Sequence, residues 1–396
     1  MPARRATLAL LGGTLTAALS GCLGDDTDDS APTTVTNRPV DAAGSVPQYQ
    51  VDAQNGGHLD GPTPSSPTVA WRRTPARYDA SQPVVDGDAV YVGFDGDLVK
   101  LAVDTGAVAW TVDAGHAAES TPAVHGDVVY TTVWNGGESV SRGLVAVDAA
   151  DGAVRWRALT DTDVNASPTP TDDAVFVGGG HENAEVAAVE HDGTVRWRRD
   201  LGEYAAAPAV VDDRVVYATG ESASAVALDA DTGETVWDRS LAGRAVAAPT
   251  VAGDAVLVAD ERGNVRALDA ATGDRRWRTA VDDRVTHSVA HGDGRAVVAH
   301  GSGGTALGVE DGERRWWTDV GRDPTAPVVI GGTVLVGAGR AVVALGADGV
   351  ERWRVETRER SYTDVVLGGV TGAPVAVDGT VLVATQVGDV YALDDG

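Results

Sequence analysis

The hydrophobic residues of the chain occur in short Val- and Ala-rich runs that alternate with turns rich in Gly and Asp. The clearest unit spans residues 247–277, AAPTVAGDAVLVADERGNVRALDAATGDRRW. It predicts an inner strand at Ala248–Val251, a Gly-Asp turn, strands at Ala255–Ala259 and Val265–Leu268, and an outer strand that ends at Trp277. Each such unit is therefore predicted to be a four-stranded antiparallel meander.

A tryptophan ends the unit each time it recurs. Eight tryptophans follow one another at spacings of 37 to 46 residues, namely Trp71, Trp110, Trp156, Trp197, Trp237, Trp277, Trp316 and Trp353. A period in this range with four strands per unit is typical of β-propeller blades. Regular recurrence on outer strands favours a structural role, filling the gap between neighbouring blades, over the alternative of a ligand-stacking set.

The two ends of the chain decide the number of blades. After Trp353 the sequence supplies three strands and reaches Gly396 without a tryptophan, whereas a single strand at Thr68–Arg72 surrounds Trp71. Joining this N-terminal strand to the three C-terminal strands closes the ring and leaves no open edge. We therefore predict an all-β, eight-bladed propeller of four-stranded antiparallel blades that occupies residues 47–396.

Residues 1–22 carry an export pattern. A basic start with Arg4 and Arg5 precedes an apolar stretch shorter than the roughly 20 residues that span a bilayer, and the segment ends in Leu-Ser-Gly-Cys, which resembles a lipoprotein lipobox. The arginine pair also resembles a twin-arginine signal. We expect export and lipid attachment at Cys22, the alternative being an unmodified cysteine in a cleaved signal. Residues 23–46 are rich in Asp, Thr and Pro, which predicts a disordered tether.

Composition narrows the class of partner. The chain holds 58 acidic and 31 basic residues, only one of which is lysine, and its net charge is −27. This charge excludes nucleic acid as a partner, because phosphates require the opposite sign. It also indicates a halophilic, haloarchaeal source, the alternative being an acidic bacterial protein. The single cysteine excludes an intramolecular disulfide.

The third strand, the following turn and the outer strand share the motif A-x-D-x-x-T-G-x-x-x-W. The motif is complete at residues 227–237 and 267–277, and residues 146–156 match it with Asp151 in place of the threonine. It resembles the repeat of the pyrroloquinoline-quinone (PQQ)-like propeller family, over roughly residues 65–396. That family includes quinoprotein dehydrogenases and BamB-like outer-membrane assembly lipoproteins, so the resemblance implies either a cofactor enzyme or a lipid-anchored scaffold.

Candidate binding residues lie just before the predicted inner strands, where a propeller opens into its central channel. They are Tyr78, Asp79, Glu119, Asn165, Tyr204, Arg244, His287 and Asp323. The alternative is that these side chains contact only water at the channel mouth. His287, His291 and His300 do not predict a metal site because no carboxylate is paired with them, and the acidic run from Asp161 lacks the glycine of a calcium loop.

The resemblance to quinoprotein dehydrogenases implies requirements that the chain does not meet. Those enzymes use an adjacent cysteine pair, calcium and a catalytic aspartate on enlarged loops, whereas this chain has one cysteine and near-minimal blades, with a notable insertion only around Trp134. We therefore predict a non-enzymatic, monomeric scaffold without a cofactor, lipid-anchored on the outer face of the cytoplasmic membrane, that binds an envelope protein. The alternative is a PQQ- or other small-molecule-binding oxidoreductase or sensor at the channel mouth. Trp134 is a candidate partner contact, unless it folds onto its own blade.

Overall fold

The structure is a computed structural model that describes residues 35–116, 120–133, 141–180, 185–301, 303–362 and 365–396. Strands and turns make up this part of the chain, which contains no helix able to cross a membrane. Three short strands precede the first complete blade, and they are β1 (Gly44–Val46), β2 (His58–Leu59) and β3 (Thr68–Arg73).

The next sixteen strands form four antiparallel meanders. Blade 1 contains β4 (Val84–Gly87), β5 (Ala89–Gly93), β6 (Gly96–Ala102) and β7 (Val108–His116). Blade 2 contains β8 (Ala123–His125), β9 (Val128–Val133), β10 (Gly143–Asp148) and β11 (Val154–Ala158). Blade 3 contains β12 (Thr169–Pro170), β13 (Val175–Val177), β14 (Glu185–Val189) and β15 (Val195–Asp200). Blade 4 contains β16 (Ala209–Val211), β17 (Arg214–Ala218), β18 (Ser224–Asp229) and β19 (Thr235–Ser240).

The remaining strands complete the ring and add one hairpin. Blade 5 contains β20 (Thr250–Ala252), β21 (Ala255–Ala259), β22 (Asn264–Asp269) and β23 (Arg275–Ala280). Blade 6 contains β24 (Ala290–Gly292), β25 (Arg295–His300), β26 (Gly303–Gly308) and β27 (Arg314–Asp319). Blade 7 contains β28 (Val328–Ile330), β29 (Thr333–Ala338), β30 (Ala341–Leu345) and β31 (Glu351–Glu356). The hairpin is β32 (Glu359–Tyr362) and β33 (Val365–Gly368), and blade 8 follows with β34 (Val375–Val377), β35 (Thr380–Ala384) and β36 (Val390–Asp394).

Blade 8 is shared between the two ends of the chain, as the sequence predicts. β3 supplies its outer strand and pairs antiparallel with β36, with Trp71 opposite Ala392 and Thr68 opposite Asp394. The sheet order β3-β36-β35-β34 has the same four-strand pattern as the other blades. The predicted eight-bladed, split-blade propeller is therefore confirmed.

Each blade tryptophan bonds to the neighbouring blade. All eight indole Nε1 atoms donate to a backbone carbonyl across the blade junction, for example Trp237 to Ala270 O at 3.0 Å and Trp353 to Pro64 O at 2.7 Å. Trp71 is fully buried. The tryptophans therefore combine apolar burial with a directed hydrogen bond at each junction.

The turn glycine of the repeat motif is explained by the same junction. Gly273 has a φ of 73°, a left-handed conformation that disfavours other residues. A Cβ at this position would lie 2.7 Å from the indole of Trp237. In seven of the eight blades an alanine lies opposite the tryptophan, as Ala267 does opposite Trp277, and blade 1 has Lys100 at that place. Small residues on both sides leave room for the ring.

The N-terminal segment corrects one expectation from composition. Residues 35–46, assigned to the disordered tether, lie against the propeller: β1 pairs with β4, Arg38 forms an ion pair with Asp394, and Val40 is buried. These contacts use backbone groups, one ion pair and a small apolar side chain, which a low apolar content does not reveal. The rest of the predicted tether, residues 23–34, lies outside the described residues.

Candidate functional site

A loop from the N-terminal part of the chain crosses the centre of the ring. Residues 47–57, between β1 and β2, form this inserted loop, whose carbonyls accept hydrogen bonds from backbone N–H groups of inner strands. The pairs are Val124 N to Pro47 O at 2.7 Å, Val210 N to Ala53 O at 2.6 Å, Val251 N to Gln54 O at 2.8 Å, His291 N to Gly56 O at 2.9 Å and Val329 N to Gly57 O at 2.7 Å. The loop thus joins blades 2, 4, 5, 6 and 7 through strand edges that otherwise face the channel.

Asn55 is the main side-chain attachment of the inserted loop. Its Nδ2 donates to the carbonyls of Ala207, Pro208 and Pro249 at 3.3, 3.0 and 3.1 Å, and the residue is 1% exposed. Its φ of 51° is left-handed, a conformation that asparagine tolerates. Val51 has a φ of 82°, which is strained for a β-branched residue. The bonds to blades 4 and 5 therefore hold a loop that the backbone alone would not favour.

The inserted loop leaves a cavity of about 780 Å³ at one mouth of the channel. Tyr49 of the loop lines this cavity together with residues that precede the inner strands, among them Asp79, Asn165, Tyr204 and His287. Small-molecule sites usually measure about 300–1,000 Å³. The cavity is therefore large enough for a small ligand, and the loop forms part of its wall.

Blade 6 departs from the repeat where the loop meets it. The strand pairing places Val289 where the other seven blades have a proline before the inner strand, and Ser288 lies one residue earlier, at the position of Ala248 in blade 5. The Oγ of Ser288 lies 2.7 Å from the Tyr49 hydroxyl, a hydrogen bond that an alanine could not make. Burial raises the pKa of Tyr49 above its ordinary value, so the phenol stays protonated at neutral pH.

The structure brings four of the eight sequence-predicted candidates together at the cavity wall, namely Asp79, Asn165, Tyr204 and His287. Arg244 stacks its guanidinium over the Tyr204 ring at 4.8 Å. Tyr78, which is 38% exposed, and Asp323, which is also exposed, do not line the cavity. The other predicted functional residues, Arg4, Arg5, Cys22, Glu119 and Trp134, lie outside the described residues.

The cavity wall combines polar side chains with alanines and carries little positive charge. Burial lowers the pKa of His287, so its imidazole is neutral near pH 7. The hydroxyl of Thr286, the amide of Asn165 and the carboxylates of Asp79 and Asp95 line the same cavity. These groups suit hydrogen bonding to water or to a neutral polar molecule.

The PQQ cofactor that the resemblance implies does not fit this wall. PQQ carries several carboxylates and needs cationic partners, whereas the described lining contains Asp79 and Asp95 and no Lys or Arg. His300 contacts Thr305 Oγ1 at 2.8 Å and His291 stacks on His58 at 6.1 Å, so these histidines do not converge with His287. Within the described ranges, no group of three or more His, Cys, Asp or Glu is placed to hold a metal ion.

Sequence reasoning missed the inserted loop, which shapes the cavity. The segment between the predicted tether and the first strand contains Asn55-Gly56-Gly57, a turn signal with no strand on either side. That signal could have indicated a loop. It could not have indicated its partners, which are backbone groups of distant blades.

Comparisons with known proteins agree on the propeller. The family model described as outer membrane protein assembly factor BamB matches residues 95–200, 182–283 and 261–396. The solved structure of BamB from Moraxella catarrhalis is similar at 20% identity and a TM-score of 0.68, covering 83% of this chain and 97% of that one. No match was found among curated proteins.

Alcohol-oxidising enzymes have the same fold. A quinohemoprotein alcohol dehydrogenase from Comamonas testosteroni is similar at 16% identity and a TM-score of 0.72, covering 88% of this chain and 80% of that one. A europium-containing methanol dehydrogenase is similar at 13% identity and a TM-score of 0.68, covering 88% and 98%. At these identities the likeness shows the fold alone.

Proposed function

The chain belongs to the family of the outer membrane protein assembly factor BamB, and from this premise we propose that it is a lipid-anchored, non-enzymatic scaffold that binds another protein of the cell envelope. The observation that carries this proposal is the family match, which runs from residue 95 to residue 396 and so takes in most of the ring. Binding surfaces suffice for such a role, and the protein needs no cofactor or reacting group.

The state of the channel supports a scaffold over a quinoprotein. The inserted loop occupies the centre of the ring and holds five inner strands by backbone hydrogen bonds. The cavity beside it has an acidic and neutral lining that is unsuited to an anionic quinone. We therefore expect a protein partner to bind at the channel mouth and its rim, which are formed by the connections between blades.

The anchor in this proposal is Cys22. Val35, the first described residue, is the thirteenth residue after it (35 − 22). Fully extended, a segment of that length reaches at most about 45 Å. A lipid at Cys22 would therefore keep the propeller within reach of envelope proteins at the same membrane.

The anchor and the scaffold are tested together in membranes. We expect Cys22→Ser to release the protein into the soluble fraction, with loss of its chemical crosslinks to membrane proteins. Ser20→Ala, two residues before the cysteine, is the matched control and should stay bound. Unchanged membrane association of Cys22→Ser would remove the anchor, and a wild-type chain without a reproducible crosslinked partner would remove the scaffold.

A second candidate function follows from the cavity, whose size of about 780 Å³ suits a small molecule. In that case the protein would be a small-molecule sensor or oxidoreductase. Titration of the purified protein with PQQ and Ca²⁺, followed by tryptophan fluorescence, separates the two functions. The scaffold predicts no saturable change, whereas saturable binding with dye-coupled alcohol oxidation would favour the enzyme.

A further inference from the structure

One connection between blades is longer than all the others. From each blade tryptophan to the start of the next inner strand, marked by its proline or by Val289 in blade 6, the chain takes 11 or 12 residues, as from Trp237 to Pro249. From Trp353 to Pro374 it takes 21 (374 − 353). The additional residues form the hairpin of β32 and β33, which belongs to none of the eight blades.

The base of the hairpin is held in place by ion pairs. Arg358 donates to the Asp389 carboxylate of blade 8 at 2.5 and 2.8 Å, and both side chains are largely buried. Glu359, the next residue and the first of β32, pairs with Arg340 of blade 7 at 3.1 Å. The hairpin is therefore fixed to two blades, and a partner would meet a preformed surface.

The hairpin lies at the rim of the cavity. The backbone N–H of its last residue, Gly368, donates to the side-chain oxygen of Gln386. The backbone carbonyl of Gln386 in turn accepts a hydrogen bond from Asp79 N at 2.9 Å. Asp79 lines the cavity, and so does Thr371, three residues beyond the hairpin. Arg360 donates to Thr74 Oγ1 at 3.5 Å, and Thr74 belongs to the neighbouring loop, residues 74–83 between β3 and β4. Hairpin and loop together form one side of the mouth.

The hairpin has open strand edges and an exposed apolar side chain. In the described part of the chain, β32 and β33 pair only with each other. Val366 on β33 is 59% exposed, more than any other large apolar side chain in that part. Proteins usually shield such edges, because their unpaired N–H and C=O groups can accept a strand from another chain.

Two arginines lie at this rim, in a chain whose net charge is −27. Arg77 in the neighbouring loop is exposed, and Arg360 on β32 is partly exposed. In the ranges that the structure describes, neither of the two forms an ion pair, whereas exposed arginines on outer strands, such as Arg276 and Arg352, pair with aspartate. The rim is therefore suited to carboxylates supplied by another molecule.

We propose that the hairpin of β32 and β33 is the docking site of the partner protein, which adds an extended, acidic segment to a free strand edge. The partner's carboxylates contact Arg77 and Arg360, and an apolar side chain of the partner covers Val366. This is the strand-addition mode of peptide recognition, in which backbone pairing gives affinity and side chains give specificity. The proposal rests on the scaffold function proposed above and names its surface and the chemistry of its partner.

Site-specific photocrosslinking of the full chain in its own membrane tests the proposal. A benzophenone amino acid replaces Val366 in one variant and Arg284 in another, since Arg284 is an exposed arginine of blade 6 without an ion pair among the described residues. We expect a crosslinked protein from position 366 and none from 284. Mass spectrometry should locate the crosslink in an extended segment rich in Asp and Glu.

Charge variants complete the test. Arg77→Gln with Arg360→Gln should lower the crosslink yield about five- to tenfold, while Arg284→Gln leaves it unchanged. Unchanged thermal unfolding would show that the double variant still folds. Crosslinks from other surfaces but not from 366, or a basic or helical segment at 366, would overturn the docking site and leave the scaffold function standing. An absence of crosslinks from every surface position would overturn both.

Discussion

Replacing Asn55 measures directly how much the inserted loop contributes to the ring. In Asn55→Gly the left-handed backbone is kept without strain, but the carbonyls of Ala207 and Pro249 lose their donor. Pro208 O keeps one donor, Thr169 Oγ1 at 2.9 Å. Two lost hydrogen bonds at about 0.5–1.5 kcal/mol each lower the free energy of unfolding by about 1–3 kcal/mol.

Asn55→Ala adds a second effect. An alanine in the left-handed region costs about 1–2 kcal/mol, so this variant should be less stable than Asn55→Gly by that amount. Asn37 offers a matched control, because its φ is also 51° but it is exposed. Asn37→Gly should leave stability nearly unchanged, and Asn37→Ala should show the backbone penalty alone.

The assay is thermal unfolding of the chain without residues 1–22, followed by tryptophan fluorescence. An unfolding entropy of about 2.1 cal/mol/K per residue over roughly 350 residues gives about 0.7 kcal/mol/K, so each kcal/mol lowers the Tm by about 1.4 °C. Asn55→Gly should thus lose about 1.5–4 °C. If Asn55→Gly unfolds at the same temperature as Asn37→Gly, the side chain does not hold the loop and the reasoning is refuted.

Two further predictions concern the repeat motif. Gly273→Ala should lower the urea midpoint of unfolding clearly more than Gly253→Ala. Both glycines have a positive φ, but only at Gly273 would a Cβ lie against an indole, that of Trp237. Equal decreases in the two variants would contradict the packing argument. The hydrogen bond from Arg276 holds the pKa of the Asp269 carboxyl at about 2, below its ordinary 3.8. The contact therefore stabilises the folded protein fully at pH values above 3.8, and this stabilisation is lost as the pH falls through about 2. Arg276→Gln should raise that pKa toward 3.8 in an NMR titration of the carboxyl group, and an unchanged value would contradict the assignment.

The ring was predictable because its signals are local and repeat. The glycine four residues before Trp277 makes room for Trp237, the tryptophan of the preceding blade. The alanine ten residues before Trp277 lies opposite Trp277 itself, and the same arrangement recurs around the chain. Closure was predictable because a strand at Thr68–Arg72 matched the one missing at the other end, and β3 occupies that place. Because the sequence repeats with the blades, correct assignment of the strands in one unit is enough to predict the others.

The inserted loop was not predictable, because its sequence has no period and its partners are not neighbours. Pro47 accepts a hydrogen bond from blade 2 and Gly57 from blade 7, through backbone atoms that every residue type possesses. Composition wrongly predicted disorder for residues 35–46 for the same reason. It reflects only the side chains, whereas these residues attach to the propeller largely through backbone hydrogen bonds. The candidate site shows the same limit. Tyr78 and Asp79 are adjacent in sequence, and only Asp79 reaches the cavity.

The loop also bears on where recognition can occur. Inner strands of a propeller expose edge N–H groups to the channel, and a ligand or a partner segment could use them. Here carbonyls of the chain's own residues 47–57 accept hydrogen bonds from those groups in five blades, so the inner edges of these five blades are already paired. What remains for another molecule is the cavity at the mouth and the rim beside it. The one connection that is lengthened beyond the repeat, between Trp353 and Pro374, lies at that rim. The additional residues lie at the rim, and the inner strand edges of five blades are already paired. Both observations therefore favour the rim of the channel mouth as the binding surface.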